Sequence, residues 1–151
     1  MWRNQLEMNL NANIYSLDLP SHNKSDEFPK LSLRLYVNIL KNFVDLLSLK
    51  KIILAGHSLG GAVIQSYYFT YPSDISALVL IGTGCRLRVL PSILDSVKND
   101  FQMFIADMNE ELKKEFLKTT PNVVYNDFKI CDEFDTLDKT DSIDIPCLIL
   151  V

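Results

Sequence analysis

With 151 residues, 48% hydrophobic and 23% charged, the chain is long enough for one ordinary domain with a core and too apolar to be disordered. Its net charge of −4 leaves no basic footprint for nucleic acid and no polybasic handle for anionic lipid. The three cysteines, Cys85, Cys131 and Cys147, make neither a paired framework nor metal-ligand spacing, and read as reduced thiols. Met1 to Glu7 carries no apolar signal core, and no apolar run approaches membrane-spanning length, so a cytoplasmic protein away from the membrane is expected.

In chain order, residues 1 to about 10 read as the tail of a helix with Trp2, Leu6 and Leu10 on one face, broken by Asn11 and Asn13. Ile14-Tyr15-Ser16-Leu17 reads as a short strand running into the turn-rich stretch Asp18 to Ser25, since it cannot continue past Pro20. Leu31 to Leu47 is the clearest helix: Tyr36, Ile39, Leu40, Phe43, Val44 and Leu47 recur at three- and four-residue steps. Ile52 to Ala55 has no polar position and reads as a strand buried on both faces. Leu59 to Tyr71 is helical and stops before Pro72. Ala77 to Ile81 is a second buried strand, closed by Gly82-Thr83-Gly84. From Cys85 to about Ser142 helical patterns dominate, over Val89 to Met108, Glu110 to Lys118 and Val123 to Phe134. Ile145 to Val151 is a third buried strand. Strand and helix alternate, which predicts an α/β fold: a mostly parallel sheet with helices on both faces and a helical insertion. The divisions are a core over 1–84, the insertion over 85–142 and a core strand over 143–151.

The informative stretch is Ala55-Gly56-His57-Ser58-Leu59-Gly60-Gly61, a Gly-x-Ser-x-Gly placed between a strand and a helix. A sharp strand-to-helix turn at Ser58 brings the positions two before and two after it together, so a Cβ at Gly56 or Gly60 is expected to clash. The serine is held at strained dihedrals with its hydroxyl projecting from the sheet edge. The following helix aims its first amides at the same point, so the Leu59 N–H is placed to stabilise an oxyanion. Ser58 is the candidate nucleophile.

These residues resemble the α/β-hydrolase family, in its subgroup with a helical lid. Asp18-Leu19-Pro20-Ser21-His22-Asn23-Lys24-Ser25 resembles a loop that usually reads Asp-x-Pro-Gly-His-Gly-x-Ser. Gly56 to Gly61 matches the family's nucleophile elbow without departure, with Gly56, Gly60 and Gly61 as its structural glycines. Leu78 to Gly84 and Ile143 to Val151 resemble the next two strands in the family's order. Ser21 and Asn23 stand where the family has glycines; Asn23 tolerates left-handed dihedrals, and Ser21 predicts a distorted loop. The family's His-Gly oxyanion loop, its acid and its histidine have no counterpart here, and are expected before Met1 and beyond Val151.

The resemblance implies a serine hydrolase of carboxylic esters or related acyl compounds, with a small-molecule substrate, no cofactor and no metal. Thioester hydrolysis, C–C bond hydrolysis and acyl transfer need the same machinery. A non-catalytic, truncated scaffold is the rival from another class. Of the two histidines, His57 is expected to point away from the hydroxyl of Ser58 by strand alternation, and His22 to brace its loop, with the base role open to it on grounds of reach. Asp127, Asp132, Glu133, Asp135, Asp138, Asp141 and Asp144 lack the spacing of a Ca²⁺ loop and read as a solvated face of the lid. The lid is expected over the strand ends where Ser58 sits. Without the strand that the family places beside Ile52 to Ala55, the chain alone is expected to be marginal and prone to aggregate.

Overall fold

Side chains that take up otherwise unpaired amides set where the helices begin. In the computed structural model, which describes residues 2–151, the Ser32 hydroxyl accepts from the Leu35 N–H at 3.1 Å and opens α2 (Leu33–Leu46), after a short α1 (Arg3–Leu6). α3 (Leu59–Thr70) starts at the elbow and ends ahead of Pro72. The expected helix Val89 to Met108 is two helices, α4 (Pro91–Asn99) and α5 (Phe101–Ala106). Asp100 breaks it: its carboxylate accepts from the Met103 N–H at 3.0 Å and caps the second piece. Asn109 caps α6 (Glu110–Phe116) in the same way, and Thr120 with Pro121 opens α7 (Pro121–Glu133).

Three strands, β1 (Ile52–His57), β2 (Ile75–Ile81) and β3 (Cys147–Leu150), form one parallel sheet in the order β1-β2-β3. The register sets Leu54 beside Leu78 and His57 beside Ile81, then Leu78 beside Cys147 and Ile81 beside Leu150. The four helices α4 to α7 all lie between β2 and β3 in sequence. Tyr36, Val37 and Val44 of α2 and Val63, Ile64, Tyr67 and Tyr68 of α3 form the main core with Leu78 and Leu80 of the sheet. No helix among the described residues is long and apolar enough to cross a membrane.

The structure departs from the sequence-based expectations at four places, the first being β3, expected to be buried, in which Cys147 to Leu150 are all exposed because no described element covers them. Ile14 to Leu17 joins no ladder; a strand needs a neighbour's backbone groups, and Tyr15 instead lies edge-on against Phe43 of α2. β1 is not buried on both faces. Ile52 and Leu54 pack toward the core, while Ile53, 65% exposed, and Ala55 alternate to a face that no described helix covers there. Leu6 and Leu10 of the N-terminal apolar stripe are exposed, and of its three residues Trp2 alone is half-buried.

Among the described residues β1 pairs only with β2, and β3 carries exposed Leu148, Ile149 and Leu150 along its length. Such an edge recruits other chains. The isolated 151-residue chain should therefore self-associate in size-exclusion chromatography with light scattering, and Ile149→Lys should shift it toward monomer. A monodisperse wild-type chain with a cooperative thermal transition would show that these edges stay unpaired without consequence.

Candidate active site

The elbow is built by a reversal of the chain directly after β1. Ser58 sits at φ +49° and ψ −118°, between His57 of the strand and Leu59 of α3. A non-glycine residue held there costs on the order of 1–3 kcal/mol and persists only where its surroundings over-determine it. They do. The Ser58 N–H donates to the Ile81 carbonyl at 3.1 Å, carrying the β1–β2 ladder one residue past the strand. The Ser58 carbonyl accepts from the Gly61 N–H at 2.8 Å and the Ala62 N–H at 3.4 Å, and from the Thr83 hydroxyl at 3.0 Å. Leu59 is the first residue of α3, so its N–H has no carbonyl of its own helix to bond.

The three elbow glycines differ in what requires them. A Cβ at Gly56 would stand 2.4 Å from the Gly60 carbonyl oxygen, so Gly56 is sterically required. A Cβ at Gly61 would stand 2.3 Å from the Thr83 side chain. The expected clash at Gly60 is absent: nothing lies within 4 Å of a Cβ there, because that face of the first helical turn is open. Thr83 and Gln65 are the residues that sequence reasoning missed. Gln65, only 2% exposed on a mostly apolar helix, donates to the carbonyls of Gly61 at 3.1 Å and Gly84 at 3.0 Å. A lone glutamine in that apolar run was the available signal.

Neither histidine is joined to Ser58 by a hydrogen bond among the described residues. The His57 ring lies beside Gly82, its Nε2 3.3 Å from where a Cβ of that glycine would be. His22 has both ring nitrogens engaged elsewhere: Nδ1 donates to the Pro20 carbonyl at 2.9 Å and Nε2 to the Asp127 carboxylate at 2.8 Å. The other Asp127 oxygen accepts from the buried Tyr36 hydroxyl at 2.6 Å. Both partners of His22 are acceptors, so the imidazolium satisfies them together and the neutral ring satisfies only one. Burial works against that charge, but the hydrogen bond and charge of Asp127, helped by the carbonyls of Pro20 and Leu19, outweigh it, and the His22 pKa is raised. Burial and Asp127 also push the Tyr36 hydroxyl well above its usual range, keeping it a donor.

Nor are the acidic residues of the insertion simply a solvated face. Asp127 holds His22 and Tyr36, Asp135 pairs with Arg86 and Arg88, Asp132 accepts from the Val89 N–H, and Asp144 accepts from the Tyr68 hydroxyl. Sequence gave no hint of these pairings because each partner lies 43 or more residues away. No three His, Cys, Asp or Glu side chains among the described residues come together as a metal site. Burial raises the Cys131 thiol to about 11, which keeps it protonated and unreactive at neutral pH.

Two outcomes follow from this geometry. Gly56→Ala should destabilise the protein by about 1–3 kcal/mol through overpacking, whereas Gly60→Ala should be neutral or stabilise it by up to about 1 kcal/mol, both read by urea unfolding. The raised His22 pKa gives stability that is fully present below the unfolded value of about 6.5 and is lost as pH rises through the folded value. Asp127→Asn should therefore cost about 1.5–3 kcal/mol at pH 6 and clearly less at pH 8.5, in thermal melts across that range. A cost independent of pH would mean that the imidazolium is not what Asp127 holds.

Residues 1–129 match the family model described as alpha/beta hydrolase fold. The chain is 34% identical over 111 residues to the 2-hydroxy-6-oxononadienedioate/2-hydroxy-6-oxononatrienedioate hydrolase 1 of Pseudomonas putida, a match covering 71% of this chain and 39% of that protein. Among solved structures it superposes on a thermophilic esterase with a TM-score of 0.75 at 35% identity, covering 87% of this chain and 57% of that one. It shares its fold with an esterase from Exiguobacterium antarcticum, with a TM-score of 0.76 at 17% identity, over 87% of this chain and 60% of that one. The chain thus spans less than two thirds of the length of these relatives. With a family model matching 129 of its residues, the chain belongs to the alpha/beta hydrolase fold family.

Proposed function

We propose that Ser58 is the nucleophile of a serine hydrolase acting on carboxylic esters or related acyl compounds, without cofactor. The observation that carries this reading is the Ser58 backbone. A φ of +49° at a strand-to-helix junction, held there by the bonds on either side, is the backbone that projects a serine hydroxyl from the strand end. The Ser58 hydroxyl attacks the substrate carbonyl carbon as its proton passes to a base. The Leu59 N–H donates to the resulting oxyanion. The tetrahedral species collapses as the leaving alcohol departs with a proton, and water then hydrolyses the acyl-enzyme.

His22 is spoken for by Pro20 and Asp127, and His57 lies beside Gly82, so neither is assigned the role of base. Because the chain spans 39% of its Pseudomonas putida relative, base, acid and second oxyanion donor are assigned to parts of the complete protein outside these residues. The helices α4 to α7 are read as a lid over Ser58. The match to the dienedioate hydrolase favours a second substrate class, a C–C bond beside a carbonyl, opened by the same serine.

The test uses the complete protein with a fluorophosphonate probe and a p-nitrophenyl ester. Ser58→Ala should abolish labelling and lower hydrolysis by several orders of magnitude. Labelling that survives the substitution would remove Ser58 as nucleophile. A wild-type protein that neither labels nor hydrolyses would favour the non-catalytic scaffold.

A further inference from the structure

We infer that Thr83 is a positioning residue that aims the oxyanion-hole amide; the inference rests on the reading of Ser58 as nucleophile. The Thr83 hydroxyl donates to the Ser58 carbonyl at 3.0 Å. That carbonyl and the Leu59 N–H are two ends of one planar peptide unit. Whatever fixes the direction of the Ser58 C=O therefore fixes the direction of the Leu59 N–H, which points the opposite way across the same plane. The Gly61 and Ala62 amides hold the carbonyl from within α3, as any first turn does. Thr83 holds it from the sheet side, which ties the peptide plane to β2.

Thr83 is itself fixed. Its side chain fills the space left by the missing Cβ of Gly61, where any side chain would stand within 2.3 Å of it. The backbone on either side is held too: the Gly82 N–H donates to the Leu150 carbonyl at 2.8 Å, and the buried Gln65 amide donates to the Gly84 carbonyl at 3.0 Å. Gln65 reaches the Gly61 carbonyl with the same nitrogen, so one side chain locks the loop after β2 to the first turn of α3. An oxyanion donor stabilises a developing charge only if its direction is set before the charge appears. The Thr83 hydroxyl supplies that setting without touching the substrate.

The experiment compares wild type, Thr83→Val and Thr83→Ser in the complete protein, using the inactivation rate of a fluorophosphonate probe with mass-spectrometric location of the label. Thr83→Val keeps the shape against Gly61 and removes the donor. It should slow labelling at saturating probe by about 10- to 100-fold, the penalty of a misaimed group. The probe concentration for half-maximal rate and the final labelled fraction should not change. A merely structural role would lower the labelled fraction and leave the rate of the folded remainder intact. Thr83→Ser, which keeps the hydroxyl, should restore most of the rate. Thr83→Val labelling at the wild-type rate would overturn the inference while leaving Ser58 as nucleophile. Label absent from wild type, or retained in Ser58→Ala, would overturn the Ser58 assignment and this inference with it.

Discussion

The site depends on one backbone constraint: Ser58 has to leave a strand and enter a helix within a single residue. The parallel ladder sets one side of that reversal. With His57 in register with Ile81, the next amide, that of Ser58, falls on the Ile81 carbonyl. The helix sets the other side, because the Ser58 carbonyl caps its first turn. Between two fixed ends only a positive φ connects, and the strain of about 1–3 kcal/mol is offset by the bonds that hold the ends. Gly56 follows from the same constraint, since the reversal lays the Gly60 carbonyl where its Cβ would be.

The helical insertion is attached by apolar packing of Ile130 and Val123 on the main core and by a set of polar contacts. Its two ends meet at the Arg86–Asp135 bridge, at the Thr136 N–H donating to the Cys85 carbonyl, and where Arg88 joins Asp135. Farther along, the single carboxylate of Asp127 on α7 gathers His22 from the loop before α2 and Tyr36 from α2 itself. Inside the insertion, Phe104 meets Phe116 and Phe128 edge to face. Aromatic packing of that kind holds the helices to one another. Directional hydrogen bonds to a half-buried carboxylate select one placement of α7 on the core.

What was legible in the sequence follows a physical divide. Local and periodic features could be read: the spacing around Ser58, the apolar stripe of α2, the existence of strands around Leu54 and Leu78, and the stop before Pro72. Features that depend on a neighbour could not. Ile14 to Leu17 has strand composition, yet a strand exists only through its partner. Ile53 has the same apolar character as Leu54, and only the layer packed on each face separates them. The break at Asp100 turned on whether an aspartate side chain finds the amide three residues on, which helical periodicity does not reveal. Thr83 looked like an ordinary polar residue until the fold brought it to the elbow, and only the fold shows what the Gln65 amide bonds to.

The glycines of this chain separate two demands that family patterns merge. In the loop after Pro20, glycines are expected for their dihedrals alone, and Ser21 at φ +64° and Asn23 at φ +45° adopt those dihedrals anyway. Side chains hold the loop in that conformation. The Ser21 hydroxyl accepts from the Phe28 N–H at 2.9 Å, Asn23 donates to the Asp18 carboxylate at 3.0 Å, and Ser25 donates to the Asp18 carbonyl at 2.6 Å. A dihedral demand can be met by any residue whose side chain bonds locally, at modest cost. At Gly56 the demand is for space: another backbone carbonyl occupies the Cβ position, and no hydrogen bond relieves a 2.4 Å contact. Gly56 is thus a position where substitution is physically closed, while Gly60 and the loop that carries His22 leave it open.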